Sequence, residues 1–254
     1  STVNPFTVQD MADALKGVDV PVLIKNPINP ELALWIGAIE RIYNAGIRNV
    51  AAIHRGFSTH RKTKFRNEPL WGIAIELKTI FPDLPIIGDP SHITGKRTAI
   101  YEVSQKSLDL NYDGLMIESH LDPDNAWSDA AQQVTPAALE QILAALKTRQ
   151  ATSDDAMFIN HLEDMRHQID DIDRELLETL AQRMNLVEKA GEYKREHNVT
   201  VFQQDRWTEI FKTRPEWAEK MRVNKDFVAE MFKLIHTESI RIQTEVSERE
   251  KVKI

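Results

Sequence analysis

The stretch MRHQIDDIDRELLETLAQRMNLVEKAGEYKR, residues 165–195, contains no Pro, and its only Gly is at position 191. Its apolar residues recur at spacings of three and four, which predicts one long amphipathic helix over roughly residues 157–196. A helix of about 50 Å cannot fold back to cover its own apolar face. We therefore expect another helix or another chain to pack along most of its length.

The residues before this helix follow a different pattern. Four β-branched runs start 29, 35 and 30 residues apart, and a helical pattern follows each of them: VPVLIKN (20–26), NVAAIHRGF (49–57), LPIIGDPSH (84–92) and GLMIESH (114–120). This spacing predicts four consecutive βα units that form a parallel sheet covered by helices.

The strand patterns stop after the polar stretch TRQATSDDA, residues 148–156. From there to the end of the chain we predict only helices, over 157–196, 204–220 and 224–248. We place a domain boundary near residue 152, so that residues 1–152 form an α/β domain and residues 153–254 an all-α domain.

Composition narrows the classes of partner. The 254 residues carry a net charge of −7 and no basic block, which argues against nucleic acid as a partner. No apolar run approaches the roughly 18 residues that span a bilayer, and no signal-peptide pattern is present, so we expect a soluble, cytoplasmic protein with no membrane partner. Since the chain has no Cys, disulfides and thiolate metal ligands are excluded.

Charged side chains stand at the C-terminal ends of the four predicted strands, where the active sites of parallel βα barrels form. Lys25 and Arg55 suit phosphate or carboxylate binding. His92 and Glu118, together with Asp129 from the following loop, make a mixed nitrogen and oxygen donor set suited to a divalent transition metal. A basic loop, HRKTKFR (60–66), is either a solvated loop or a phosphate-gathering one.

Three of the cations on the long helix, Arg166, Arg183 and Lys194, have spacings that bear on ligand binding. Arg183 and Lys194 are 11 residues apart, close to three full turns, so they share a face about 16 Å apart and can bracket a small dianion. Arg166 lies 17 residues before Arg183, about 25 Å along the axis, and would serve a second site supplied by an antiparallel partner helix. This geometry predicts a symmetric homodimer with two shared sites.

The phrases GDPSHITGKR and IESHLDPDNAWSDAAQQ resemble the 3-deoxy-7-phosphoheptulonate (DAHP) synthases, with a likeness over residues 1–147. The resemblance implies a (β/α)8 TIM barrel that joins phosphoenolpyruvate to erythrose 4-phosphate. It also implies a divalent metal ion (Mn, Fe, Co or Zn) that polarises the aldehyde. Matched residue by residue, the resemblance implies that His92, Glu118 and Asp129 are metal ligands. It also implies that Lys25 is catalytic and binds phosphoenolpyruvate together with Arg55.

The sequence departs from that family in two ways. The family's fourth metal ligand is a cysteine on an early strand, and a complete barrel takes roughly 250 residues against about 150 here. We therefore expect a truncated chain that holds the second half of the barrel, starts at the end of the family's fourth strand and does not perform the condensation by itself. The alternative for this half is the related 3-deoxy-octulosonate 8-phosphate synthase, which uses arabinose 5-phosphate.

The helical half resembles the all-α chorismate mutases over residues 157–248, because MRHQIDDIDRELLETLAQR matches their motif LRxxIDxIDxxLLxLLxxR. The family rearranges chorismate to prephenate without a cofactor. The resemblance implies that the partner subunit lends Arg166 and that Arg183 holds a carboxylate. It further implies that Lys194 and Gln243 face the ether oxygen, while Arg206 and Ser239 complete the carboxylate contacts.

Two positions depart from the mutase pattern. Trp207 replaces a glutamate that commonly contacts the substrate hydroxyl, and Gln203 replaces an acidic residue. We expect weakened or altered substrate binding, with Asp205 or Glu209 as possible substitutes.

The two resemblances together predict a bifunctional shikimate-pathway enzyme. The mutase domain could also act as an allosteric sensor through which chorismate or prephenate inhibits the barrel. A further alternative is that the helical half is only a regulatory or dimerisation module.

Overall fold

The computed structural model describes residues 4–59 and 63–248 and divides after Thr152 into two compact units. Residues 60–62 of the predicted basic loop lie outside the described residues. No helix within the described ranges is both long enough and apolar enough to cross a membrane.

The first unit is built on a four-stranded parallel sheet. Its strands are β1 (Val22–Lys25), β2 (Val50–His54), β3 (Ile86–Gly88) and β4 (Gly114–Leu115), and each pairs with the next in the order β1-β2-β3-β4. The helices of this unit are α1 (Pro5–Ala14), α2 (Leu32–Asn44), α3 (Trp71–Ile80), α4 (Pro90–Thr94), α5 (Ile100–Asp109) and α6 (Pro136–Ala145). Sequential parallel strands separated by helices are the pattern of a (β/α)8 barrel, and the described residues supply four of its strands.

The core of this unit lies between the sheet and the helices α2 and α3. Trp35 and Leu77 of those helices belong to the same hydrophobic cluster as Ala52 and Ile86 of the sheet, and all four side chains are fully buried. The large apolar side chains of α2 thus hold the strands in place, and the C-terminal strand ends meet at one edge.

Two strands are shorter than their apolar runs suggested. β3 ends at Gly88, so His92 lies on the short helix α4 rather than at a strand end. The Asp89 side chain accepts the His92 backbone N–H at 3.1 Å, and Pro90 has no N–H for the sheet but suits the first turn of a helix. β4 ends at Leu115, which places Glu118 in the segment after the strand.

The second unit has three helices: α7 (Ala156–Glu196), α8 (Gln204–Lys220) and α9 (Lys225–Glu248). They agree with the three predicted helices to within a residue at each end. The side chain of Asp155 caps α7 by accepting the backbone N–H groups of Met157 and Phe158. α7 has 41 residues and is therefore about 60 Å long.

The two ends of α7 differ in their environment. Gly191, near its C-terminal end, is the one buried residue of the helix and packs on α9. Ile169, Ile172, Leu176 and Leu177 are each more than half exposed. Within this chain, the apolar face of the first part of α7 is therefore largely uncovered.

Candidate active sites

His92, Glu118 and Asp129 come together at the C-terminal edge of the sheet. One potential ligand atom from each lies within 4.8 Å of the other two, and His92 Nε2 is 3.6 Å from Glu118 Oε1. Asp129 adopts a positive φ of 49°, a conformation that Asp tolerates better than most residues. One imidazole and two carboxylates at these separations fit a divalent transition metal ion.

Asp89 fixes the orientation of His92. Its carboxylate is fully buried, and Oδ1 lies 3.0 Å from His92 Nδ1. We assign the imidazole proton to Nδ1, which donates to Asp89 and leaves the Nε2 lone pair facing Glu118, as in carboxylate–histidine–metal sites. Sequence reasoning missed Asp89, although its place before Pro90 in GDPSH was a signal for a helix cap.

Lys25 is also held by Asp89. Its Nζ lies 3.0 Å from Asp89 Oδ2. Burial alone would raise the pKa of Asp89, but the hydrogen bond from His92 and the ion pair with Lys25 lower it below its ordinary value. One buried carboxylate therefore positions both a potential metal ligand and a potential phosphate ligand.

Arg55 reaches the same edge from the end of β2. Its Nη1 donates to Asn67 Oδ1 at 3.1 Å, and Asn67 Nδ2 donates to the His92 carbonyl at 2.6 Å. Gly56 permits this approach, because a Cβ there would lie 2.8 Å from Asn67 Cβ. Burial lowers the pKa of the half-buried Arg55 guanidinium. The five residues predicted for this half thus share one edge of the sheet.

A second set of contacts positions the two carboxylates. Gln132 is buried, and its Nε2 donates to Glu118 Oε2 at 2.8 Å. Arg66 Nη1 donates to Asp129 Oδ1 at 2.7 Å and to Gln132 Oε1 at 3.0 Å, and its hydrogen bond lowers the pKa of Asp129. Arg97 ties down the loop that carries Asp129 by donating to the carbonyls of Ala130 and Gln133.

The second unit contains a pocket of about 450 Å³ between its three helices. Five of the predicted residues line it: Arg183, Lys194, Arg206, Ser239 and Gln243. Gln203, Arg214 and His236 line it as well, with apolar side chains such as Leu186, Val187 and Ile240. The pocket lining thus combines several cationic side chains with neutral polar and apolar ones.

Hydrogen bonds between helices hold the polar groups of this pocket. Arg183 Nη1 donates to Ser239 Oγ at 2.7 Å, and Lys194 Nζ donates to Gln243 Oε1 at 3.0 Å. Gly191 brings α7 and α9 close together, since a Cβ there would lie 3.1 Å from Gln243 Cγ. The close helix pair therefore sets the Lys194–Gln243 contact.

The cations of the pocket disfavour one another's charged forms. Burial lowers the pKa of Arg183, and the nearby Arg214 and Arg206 lower it further. Burial also lowers the pKa of Lys194. Arg206 donates to Glu209 Oε2 at 2.7 Å, so that carboxylate is already engaged. A concave site with several fixed cations suits a small anion with more than one carboxylate.

Three features that the sequence singled out are not part of the lining of this pocket. Trp207 packs on Phe211 and, edge to face, on His236, with ring centroids 4.6 Å and 4.7 Å away, and it does not line the pocket. Arg166 is exposed, pairs with Glu163 and is also not among the lining residues. Neither Asp205 nor Glu209, the possible substitutes for the missing acid, lines the pocket.

Sequence reasoning also missed two residues that do line the pocket. Arg214 follows Arg206 and Ile210 at intervals of four, and this spacing was a signal for a shared face. His236 precedes Ser239 by one helical turn, which was the corresponding signal on α9.

Residues 6–154, more than half of the chain, match the family model described as the DAHP synthetase I family. The chain belongs to the DAHP synthetase I family. Residues 165–244 match the model described as chorismate mutase type II, so the pocket of the second unit lies within a chorismate mutase domain. The two resemblances drawn from the sequence, and the fold class predicted from them, are confirmed.

Curated relatives cover the two parts separately. Phospho-2-dehydro-3-deoxyheptonate aldolase of Thermotoga maritima is 26% identical over 127 residues, which cover 50% of this chain and 37% of the relative. The T-protein of Haemophilus influenzae is 30% identical over 82 residues, which cover 32% of this chain and 22% of the relative. This chain thus spans well under half the length of either.

A third relative bears on the alternative that the first half of the chain is a 3-deoxy-octulosonate 8-phosphate synthase. The 2-dehydro-3-deoxyphosphooctonate aldolase of Prochlorococcus marinus is 24% identical over 149 residues, which cover 54% of this chain and 52% of the relative. The family model and the higher identity of the heptonate aldolase favour the DAHP synthase family over the octonate aldolases.

Proposed function

We propose that this chain carries the metal- and phosphoenolpyruvate-binding part of a DAHP synthase followed by a chorismate mutase, two activities of the shikimate pathway. We assign residues 1–152 to the synthase and 153–254 to the mutase. The observation that carries the proposal is that Arg183, Lys194 and Arg206 line one pocket inside the segment that matches chorismate mutase type II.

The mutase reaction suits the groups of this pocket. Arg183, Arg206 and Ser239 bind the carboxylates of chorismate, while Lys194 and Gln243 face the breaking ether bond. Since Gln243 Oε1 accepts from Lys194, its amide NH2 is left to donate to the ether oxygen. The intramolecular rearrangement needs neither a nucleophile nor a proton transfer. The protein contributes by fixing the reactive conformer and by stabilising negative charge on the oxygen.

A second copy of the chain completes each mutase site in this proposal. Arg166 lies about 25 Å along α7 from Arg183 and is too far away to reach the same small ligand. The exposed apolar side chains Ile169, Ile172, Leu176 and Leu177 lie between the two arginines on that helix. An antiparallel α7 from a second copy would cover this face and bring its own Arg166 to the pocket, which gives a symmetric homodimer.

In the synthase part, Lys25 and Arg55 bind the phosphate and carboxylate of phosphoenolpyruvate. His92, Glu118 and Asp129 hold a divalent metal ion, which when bound polarises the aldehyde oxygen of erythrose 4-phosphate. Asp89 keeps the proton of His92 on Nδ1, so that Nε2 is free to bind the metal ion. The donor set is compatible with Mn, Fe, Co or Zn. Substrates of this kind imply a cytoplasmic enzyme.

Chorismate conversion by the purified chain tests the mutase assignment. We expect turnover by the wild type and a loss of at least about a hundredfold in kcat/KM for Lys194→Ala, because a charged donor at the ether oxygen is removed. Lys189→Ala is the matched control, since Lys189 is exposed on the same helix and does not line the pocket. No turnover by the wild type would leave dimerisation or regulation as the function of the helical domain.

We also propose that the mutase pocket acts as an allosteric sensor for the synthase part. The proposal is supported by the presence of a cationic ligand pocket in the same chain as the phosphoenolpyruvate-binding residues. Coupling means that prephenate changes phosphoenolpyruvate affinity. Calorimetric titration of phosphoenolpyruvate with and without saturating prephenate tests this, and equal affinities would contradict it.

A further inference from the structure

The Arg214 guanidinium of α8 forms no salt bridge with a carboxylate within the part of the chain that the structure describes. Its only hydrogen bond to another described residue runs from Nη1 to Thr213 Oγ1, at 2.8 Å, and its buried Nε has no partner there. Its Cζ lies 4.4 Å from the ring centroid of Trp217 and 5.9 Å from that of Phe232. The two rings thus hold the guanidinium at the wall of the pocket.

The neighbours of Arg214 make its charge costly without a ligand. Burial lowers the pKa of Arg214, and Arg206 lowers it further, while Glu209 acts in the opposite direction. Glu209 already accepts a hydrogen bond from Arg206. A partly buried cation with unused donors loses solvation that an incoming anion would restore.

His236 does not take this role, although it also lines the pocket. Burial and then the cations Arg183, Lys194 and Arg206 lower the pKa of His236, which disfavours its charged form. The additional positive charge at the pocket wall therefore comes from Arg214.

Resting on the proposed mutase function, we propose that Arg214 is a further ligand-binding residue, which binds a carboxylate of the small dicarboxylate ligand together with Arg206. Arg206, Ile210 and Arg214 follow one another at intervals of four along α8, so the two guanidinium groups stand along one side of the pocket. A carboxylate between them would relieve the repulsion that lowers the pKa of Arg183 and Arg214.

The test compares the variants Arg214→Met and Arg214→Lys with the wild-type chain. Met keeps an unbranched side chain against Trp217 but removes the charge, and Lys keeps the charge. Lys212→Met is the control, because it removes one positive charge from an exposed position on the same helix outside the pocket lining. Two readouts are used: the KM for chorismate, and the rise in melting temperature caused by citrate.

We expect Arg214→Met to raise the KM for chorismate about tenfold, because one charge-assisted hydrogen bond to the ligand is lost. The same variant should show a smaller rise in melting temperature when citrate is added. Arg214→Lys should recover part of both effects, and Lys212→Met should show neither. The melting temperature of unliganded Arg214→Met should equal or exceed that of the wild type, because a repulsion is removed.

The proposal would be overturned if Arg214→Met had the same KM for chorismate as the wild type and the same rise in melting temperature with citrate. A lower melting temperature without ligand together with an unchanged KM would also overturn it, since that pattern indicates a structural role. If the wild type does not convert chorismate, the mutase assignment fails, but the citrate response still decides the role of Arg214. If citrate does not stabilise the wild type either, the pocket binds no such anion and both proposals fail.

Discussion

At the scale of single residues, Asp89 contacts two of the predicted site residues of the synthase part. It accepts from His92 and pairs with Lys25 from a fully buried position. We predict that Asp89→Asn weakens Mn²⁺ binding by the chain about ten- to a hundredfold, because the charged acceptor that orients the histidine is lost. Isothermal titration with Mn²⁺ measures this. Asp83→Asn, at an exposed position, is the control, and equal affinity in the two variants would contradict the role given to Asp89.

His54 is a buried histidine that serves the fold rather than the site. Its Nε2 lies 2.6 Å from the Pro69 carbonyl and its Nδ1 2.7 Å from the Tyr112 hydroxyl. We assign the proton to Nε2, which donates to Pro69, while Nδ1 accepts from Tyr112. Burial lowers the pKa of His54 to about 4.

This pKa has a measurable consequence. We predict that His54 resonances in the NMR spectrum of the folded protein titrate near pH 4, with the assignment made from their absence in His54→Gln. Because the folded state binds the proton more weakly than the unfolded state, the stability contributed by neutral His54 is complete above pH 6.5 and is lost as the pH falls from 6.5 towards 4. Titration near 6.5 in the folded protein would show that the ring is not buried as described.

At the scale of secondary-structure elements, the contact between α7 and α9 depends on Gly191. A Cβ at this position would lie 3.1 Å from Gln243 Cγ and 3.3 Å from Gln243 Cα. We predict that Gly191→Val lowers the melting temperature and reduces chorismate turnover at least about tenfold, because a larger residue must push Gln243 away from Lys194. Glu192→Val is the control, since residue 192 is exposed on the same helix. A Gly191→Val chain with unchanged turnover would mean that the close packing does not set the site.

How well the elements could be predicted depended on their length. The helices α7 to α9 were predicted nearly to the residue, because a long series of apolar residues at spacings of three and four is typical of a helix and not of a strand. The strands were predicted too long. In the case of β3, the predicted run extended to residue 92, whereas Asp89 and Pro90 end the strand by starting the helix α4.

The candidate sites were likewise predicted only in part from the sequence. Spacing along one helix placed Arg183 and Lys194 together, but the contacts of Asp89 and Arg214 join separate elements or depend on burial. Such contacts follow from packing, which a single sequence does not display. The assignment of catalytic roles to the predicted site residues therefore stays a prediction.

At the scale of the whole molecule, the proposed mutase needs two copies of the chain to complete each site. Arg166 is exposed, pairs with Glu163 and lies outside the pocket of its own chain. The apolar face of α7 that precedes the pocket is exposed in the single chain. The proposed dimer would account for both features.

Complementation between two inactive variants tests whether two copies of the chain share each mutase site. Arg166→Ala and Lys194→Ala should each lose chorismate turnover as homodimers. Mixed dimers should regain one intact site, in which an unchanged Arg166 from one copy meets an unchanged Lys194 from the other. With random pairing of equal amounts, we predict about a quarter of the wild-type rate per chain. Full activity of Arg166→Ala alone, or no recovery on mixing, would contradict the shared site.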